Sequence, residues 1–109
     1  LVYVAQEEWE KVEEQSTKII KIDYYNYYAN YYYSLALKMQ AKYGLAAKVN
    51  KKMLEIFPSS VVFLQELAEN IFLNNETLDS KSIFESVLIL DPDNTVAPYY
   101  LGKFKEEKK

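Results

Sequence analysis

Apolar residues recur along this chain at steps of three and four, the spacing of one face of an α-helix. In 61–74 the face is Leu64, Leu67, Ala68 and Ile71; in 77–90 it is Ile83, Phe84, Val87, Leu88 and Leu90. Between them LNNET, at 73–77, is a polar break, and Thr77 or Asp79 is placed to start the second helix. The alternation then repeats. EIFPSS around Pro58 and ILDPDN around Pro92 lie 34 residues apart. Laying 27–60 over 61–94 pairs Tyr33 with Leu67, Ser34 with Ala68, Leu37 with Ile71, Ala46 with Ser80, Met53 with Val87 and Leu54 with Leu88. One step forward carries Leu67 and Ala68 onto Leu101 and Gly102. One step back carries Leu37 onto Tyr3, Ala46 onto Val12, Met53 onto Ile19 and Pro58 onto Tyr24. A proline has no N–H to continue a helix, so each repeat ends at one. Ser59 or Ser60, and Asp93 or Asn94, follow as N-cap residues for the next helix. Pro98 is compatible with a helix starting near Asn94, because the first turn has no intrahelical use for its N–H.

A 34-residue period of paired helices resembles the tetratricopeptide-repeat (TPR) family. In 61–94 the motif positions hold Leu64, Leu67, Ala68, Ile71, Ser80, Phe84, Val87 and Pro92. In 27–60 they hold Asn30, Tyr33, Ser34, Leu37, Ala46, Asn50, Met53 and Pro58; Asn30 and Asn50 stand where the family prefers large aromatics, so this repeat is degenerate. The resemblance covers essentially the whole chain. It implies an all-α fold of antiparallel helix-turn-helix repeats, stacked into a short right-handed α-solenoid of about seven helices. The expected division is one domain: a partial repeat over 1–26, repeats over 27–60 and 61–94, and a C-terminal capping helix over 95–109. A pentatricopeptide array would need a 35-residue period and would read RNA, which the spacing and the charge both oppose.

Composition narrows the function. The 109 residues carry a net charge of −3, and all 13 basic residues are lysines. Without arginine or clustered positive charge, a nucleic-acid partner is not expected. Half the residues are hydrophobic, enough for a core, yet no apolar run approaches the ~20 residues of a membrane span. There is no histidine and no cysteine, which removes the usual zinc sites, nucleophile systems and disulfides. Two glycines cannot make a phosphate-cradling loop. The expectation is therefore no enzyme, no metal and no cofactor, in a soluble domain, cytoplasmic by default. The chain opens at Leu1 rather than at methionine, as a trimmed fragment or a processed product would. EEWEKVEE, from Glu7 to Glu14, reads as a solvated helix face with Trp9 turned inward. Lys42, Lys48, Lys51 and Lys52 read as a solvated outer helix beside Glu55, and KFKEEKK as a polar cap.

The remaining oddity is DYYNYYANYYYS, with seven tyrosines between Tyr24 and Tyr33. Successive helix positions are ~100° apart, so these rings cannot all face inward. In this family the first helix of each pair lines a concave groove. That resemblance puts Tyr33 and Leu37 in the core, and Tyr28, Tyr31, Tyr32, Leu35 and Met39 on or beside the groove. It adds Gln65, Glu66, Glu69, Phe72 and Leu73 from the second full repeat, and Val96, Tyr99, Tyr100 and Lys103 from the last helix. The plain alternatives are tyrosines packed between helices and glutamates that merely keep a helix soluble. One subset of the family clamps a chaperone's C-terminal carboxylate with cationic and amide side chains. The corresponding places here hold Tyr31, Leu35, Glu66, Val96 and Tyr100, none of them cationic. The expected partner is another protein, offering a hydrophobic or amphipathic peptide or helix, with a lysine or arginine to meet Glu66 or Glu69. The alternative is a structural role, as a homo-oligomer or as part of a longer repeat array.

Overall fold

The computed structural model describes the backbone of residues 6–107, and the side chains of 8–76 and 79–104. The apolar residues 1–4, including the repeat position at Tyr3, lie outside it, as do the side chains of KFKEEKK from Lys105 onward. The described residues form six helices, against an expectation of about seven: α1 (Gln6–Ile22), α2 (Tyr27–Met39), α3 (Tyr43–Ile56), α4 (Val61–Leu73), α5 (Thr77–Leu90) and α6 (Val96–Glu107). The difference falls in the partial repeat, where 6–22 is one continuous helix. In the 34-residue register α2, α4 and α6 are first helices of a pair, and α1, α3 and α5 are second helices.

Local chemistry sets the starts. Asn26 caps α2 by accepting from the Ala29 N–H at 2.9 Å, Ser60 caps α4 through Phe63, and Asn94 accepts from both Val96 and Ala97 at the start of α6. α5 begins at Thr77, but its N-cap residue is Glu76, which makes no side-chain capping bond. The turns inside the two full repeats are built alike. Ala41 and Asn75, 34 residues apart, both sit at positive φ (61° and 67°). Beyond them Lys42 N–H and Glu76 N–H reach back to Leu37 and Ile71 carbonyls, the left-handed close that satisfies orphan carbonyls at a helix end.

Each helix packs on the next in sequence, giving an elongated stack of 45 × 29 × 24 Å. Small residues at the crossings let backbones approach: Ser34, Ala46, Ala68 and Ser80 are all fully buried. Around them lie Phe84, Val87, Ala97 and Phe104 toward the C-terminal end, and Ala47, Leu67 and Ile71 in the middle. Leu37 is buried as expected, while Tyr33 is only half-buried. Asn30, Asn50 and Asn70 are fully buried in place of aromatics. Asn30 survives there by donating to the Tyr24 and Asn26 carbonyls, which ties the tyrosine-rich turn to α2. Asn70 donates to Asn50 Oδ1 at 2.8 Å across α3 and α4.

Candidate functional site

The first helices α2, α4 and α6 are linked side by side through polar and aromatic contacts. Lys38 on α2 donates to Glu66 on α4 at 3.0 and 3.2 Å, and its Nζ lies 3.8 Å from Glu69. Glu69 in turn accepts from the Tyr100 hydroxyl on α6 at 3.0 Å. The Tyr100 ring is stacked on Phe84 (4.8 Å, 8°) and meets the edge of Phe72 at 5.0 Å. One cation thus faces two carboxylates, leaving a single surplus negative charge on a largely desolvated surface. Burial pushes the Glu66 carboxyl above the ordinary glutamate range, and Lys38 pulls it back only in part. Burial, then Glu69, pushes the Tyr100 phenol well above the ordinary tyrosine range; burial and Glu66 raise Tyr31 in the same way.

The structure sorts the sequence-derived lining into three groups. Tyr31, Leu35, Gln65, Glu69, Phe72, Tyr100 and Lys103 are half-buried along this face; Glu66 is buried. Gln65 is held by Asn94 at 2.8 Å, and Lys103 lies 5.1 Å over the Tyr99 ring. Met39 and Leu73 are exposed at the C-terminal ends of α2 and α4, and Tyr99 is exposed on α6. Tyr28 and Tyr32 sit apart: both line a cleft of about 340 Å³ between α1 and α2, with Val12, Ser16 and Ile19 opposite. A larger, more open cleft of about 490 Å³ lies at the α3–α4 turn, lined by Tyr27, Phe57 and Val62, away from the polar network.

Three side chains do more than their sequence reading. Lys38, seven residues after Tyr31 and so on its stripe, is the cation of the face. Tyr27 pins α2 to the next repeat, with Phe63 at 5.0 Å, Phe57 at 5.4 Å and a hydroxyl contact to Ser60. Lys52, expected on a solvated face, instead folds over the Tyr24 ring at 3.9 Å and donates to the Tyr24 carbonyl. Its head is drawn in because the Tyr24–Tyr25 edge-to-face pair offers a cation surface and a free carbonyl.

The class defined by this geometry is a stack of antiparallel helix-turn-helix repeats. No protein-family model and no curated protein matches the chain. Solved structures do. The first TPR domain of Spaghetti (RPAP3), bound to the HSP90 peptide SRMEEVD, superposes with a TM-score of 0.87 at 20% identity, over 94% of this chain and 81% of that one. The second TPR domain of human RPAP3, in complex with the HSP70 peptide SGPTIEEVD, gives 0.83 at 24% identity, over 90% and 82%. The fold of this chain is the tetratricopeptide-repeat fold.

Proposed function

We propose that this protein is a protein-interaction module whose α2–α4–α6 face holds a hydrophobic or amphipathic peptide or helix of another protein. The observation that carries this reading is the occupation of Lys38. It is the cation nearest the middle of the face, and two carboxylates already hold it. A ligand carboxylate arriving there meets a net negative site with no free donor of positive charge. Both solved neighbours were determined with peptides whose printed sequences end in EEVD. Such an acidic tail is disfavoured here, and the half-buried Tyr31, Leu35 and Phe72 support an apolar ligand instead. Glu69, which shares its charge with Lys38 at the longer distance, is the group left to meet a ligand lysine or arginine. No catalytic or cofactor role is assigned. Among the described residues no cluster of His, Cys, Asp or Glu could hold a metal, and no helix is long and apolar enough to cross a membrane.

A random peptide display screen tests the reading directly. Apolar or amphipathic binders that are lost on Tyr31→Ala with Leu35→Ala are expected. Enrichment of acidic C-terminal tails would overturn the ligand class, and binders indifferent to both substitutions would overturn the face.

A further inference from the structure

The cleft between α1 and α2 has two internal counterparts. Its residues Val12, Ser16, Ile19, Ala29, Tyr28 and Tyr32 recur 34 positions later as Ala46, Asn50, Met53, Phe63, Val62 and Glu66. There the first helix α2 fills the space, with Tyr27 against Phe63 and Lys38 on Glu66. One step further on, α4 does the same with Phe72 and Glu69 against Tyr100. The result is visible at one repeat position: Ile19 is 47% exposed, whereas Met53 and Val87 are each 0%. α1 is a second helix with no first helix against it among the described residues.

The other end of the stack is the complement. α6 is a first helix with no second helix against it among the described residues. Gly102 stands in register with Ser34 and Ala68, both buried at a helix crossing, yet a Cβ built on Gly102 would meet nothing within 4 Å. Charge matches too. In an antiparallel pair the end of the first helix lies beside the start of the second, as α2 does with α3. That would bring 103–109, with four lysines and two glutamates, beside 7–14, with five glutamates and one lysine.

We propose that the α1/α2 cleft is a docking site for α6 of a second copy of this chain, so that copies stack head to tail and each junction completes one repeat. The internal contacts set the register. Glu69 reaches Tyr100 within the chain, so Lys103 of one copy faces Tyr32 of the next, a cation over an exposed ring. Gln65 bonds Asn94, so Tyr99 faces Asn26. The contact is heterologous and leaves one free end on every copy, so growth does not stop at two. It is independent of the peptide-binding reading, because Tyr31 and Leu35 do not line this cleft.

Sedimentation across a concentration series tests the proposal. The average mass is expected to climb from the 12.8 kDa monomer past the dimer without a plateau. Ile19→Asp, at a half-exposed position and checked by circular dichroism for unchanged helicity, should weaken association about tenfold or more, since it buries an unpaired charge. The chain has no cysteine, which allows a second readout. A mixture of Tyr32→Cys and Lys103→Cys copies should be joined by a short bismaleimide, while neither variant alone is. A monomer at every concentration, growth that stops at a dimer, association indifferent to Ile19→Asp, or joining of Tyr32→Cys copies to one another would each overturn it.

Discussion

Lys38 on α2 donates to both carboxylate oxygens of Glu66 on α4, at 3.0 and 3.2 Å, and both side chains are largely withdrawn from water. The pair joins two repeats as well as marking the candidate face. Removing one member of a buried pair leaves a charge with neither water nor a partner.

Lys38→Met should therefore cost about 3 kcal/mol of stability, because it strands Glu66 beside Glu69. Lys38→Met combined with Glu66→Leu should recover most of that loss, since an apolar pair of similar volume needs no desolvation. Urea midpoints of the two variants decide the matter. A single-variant cost below about 0.5 kcal/mol would mean the pair behaves like a surface bridge.

Glu66 also has a pH signature. Its folded pKa is raised, chiefly by burial, so the folded state holds the proton more tightly than the unfolded chain. Stability through this group is full below the unfolded glutamate value and is lost as pH rises through the folded one. Between about pH 7 and about pH 5 the wild-type chain should gain stability relative to Glu66→Gln. Thermal melts across that window show the gain, and parallel curves for the two proteins would contradict it.

Tyr100 acts at the alkaline end. Its folded pKa is raised by burial and by Glu69, so its contribution is full below the unfolded tyrosine value of about 10 and fades as pH rises through the folded one. Tyr100→Phe should flatten the alkaline limb of the stability curve. A spectrophotometric titration of the folded protein should show one fewer late-titrating phenol in the variant.

Asn50 and Asn70 share a single hydrogen bond at 2.8 Å in the core, leaving Asn50 Nδ2 and Asn70 Oδ1 with no hydrogen bond among the described residues. Asn70→Leu alone should cost about 2 kcal/mol, because it orphans the Asn50 amide entirely. Asn50→Leu with Asn70→Leu should come out near neutral. If the double variant falls as far as the sum of the singles, the amides contribute more than one hydrogen bond.

Ala41 and Asn75 make a matched test of the turns. Both are at positive φ, where a Cβ crowds the following carbonyl, but an asparagine tolerates the region and an alanine does not. Ala41→Gly should raise stability by about 0.5 kcal/mol or more even after the entropy lost to glycine, and Asn75→Gly should change little. Equal effects at the two sites would show that the strain argument fails.

Much of the fold was legible before any coordinates. Capping at Ser60 and Asn94, the stops at Pro58 and Pro92 and the break at LNNET depend on neighbours within a few residues, so their chemistry is visible in the string. The site was less legible. Tyr28, Tyr31 and Tyr32 look alike in sequence, yet Tyr28 and Tyr32 turn to α1 while Tyr31 lies near Glu66, and residue type does not decide which neighbour a ring meets.

What the sequence determined by itself is the period: helical spacing with a proline every 34 residues yields stacked helix pairs, because a pair cannot bury its apolar face alone. The tertiary structure decided how the charges are spent. Lys38 and Glu66 are 28 residues apart and meet only when α2 packs beside α4, turning two ordinary helix charges into one desolvated network. Lys52 reaches Tyr24 over the same separation. Local pattern depends on sequence neighbours and survives in the string; electrostatics and burial depend on spatial neighbours, which the packing of the helices alone supplies.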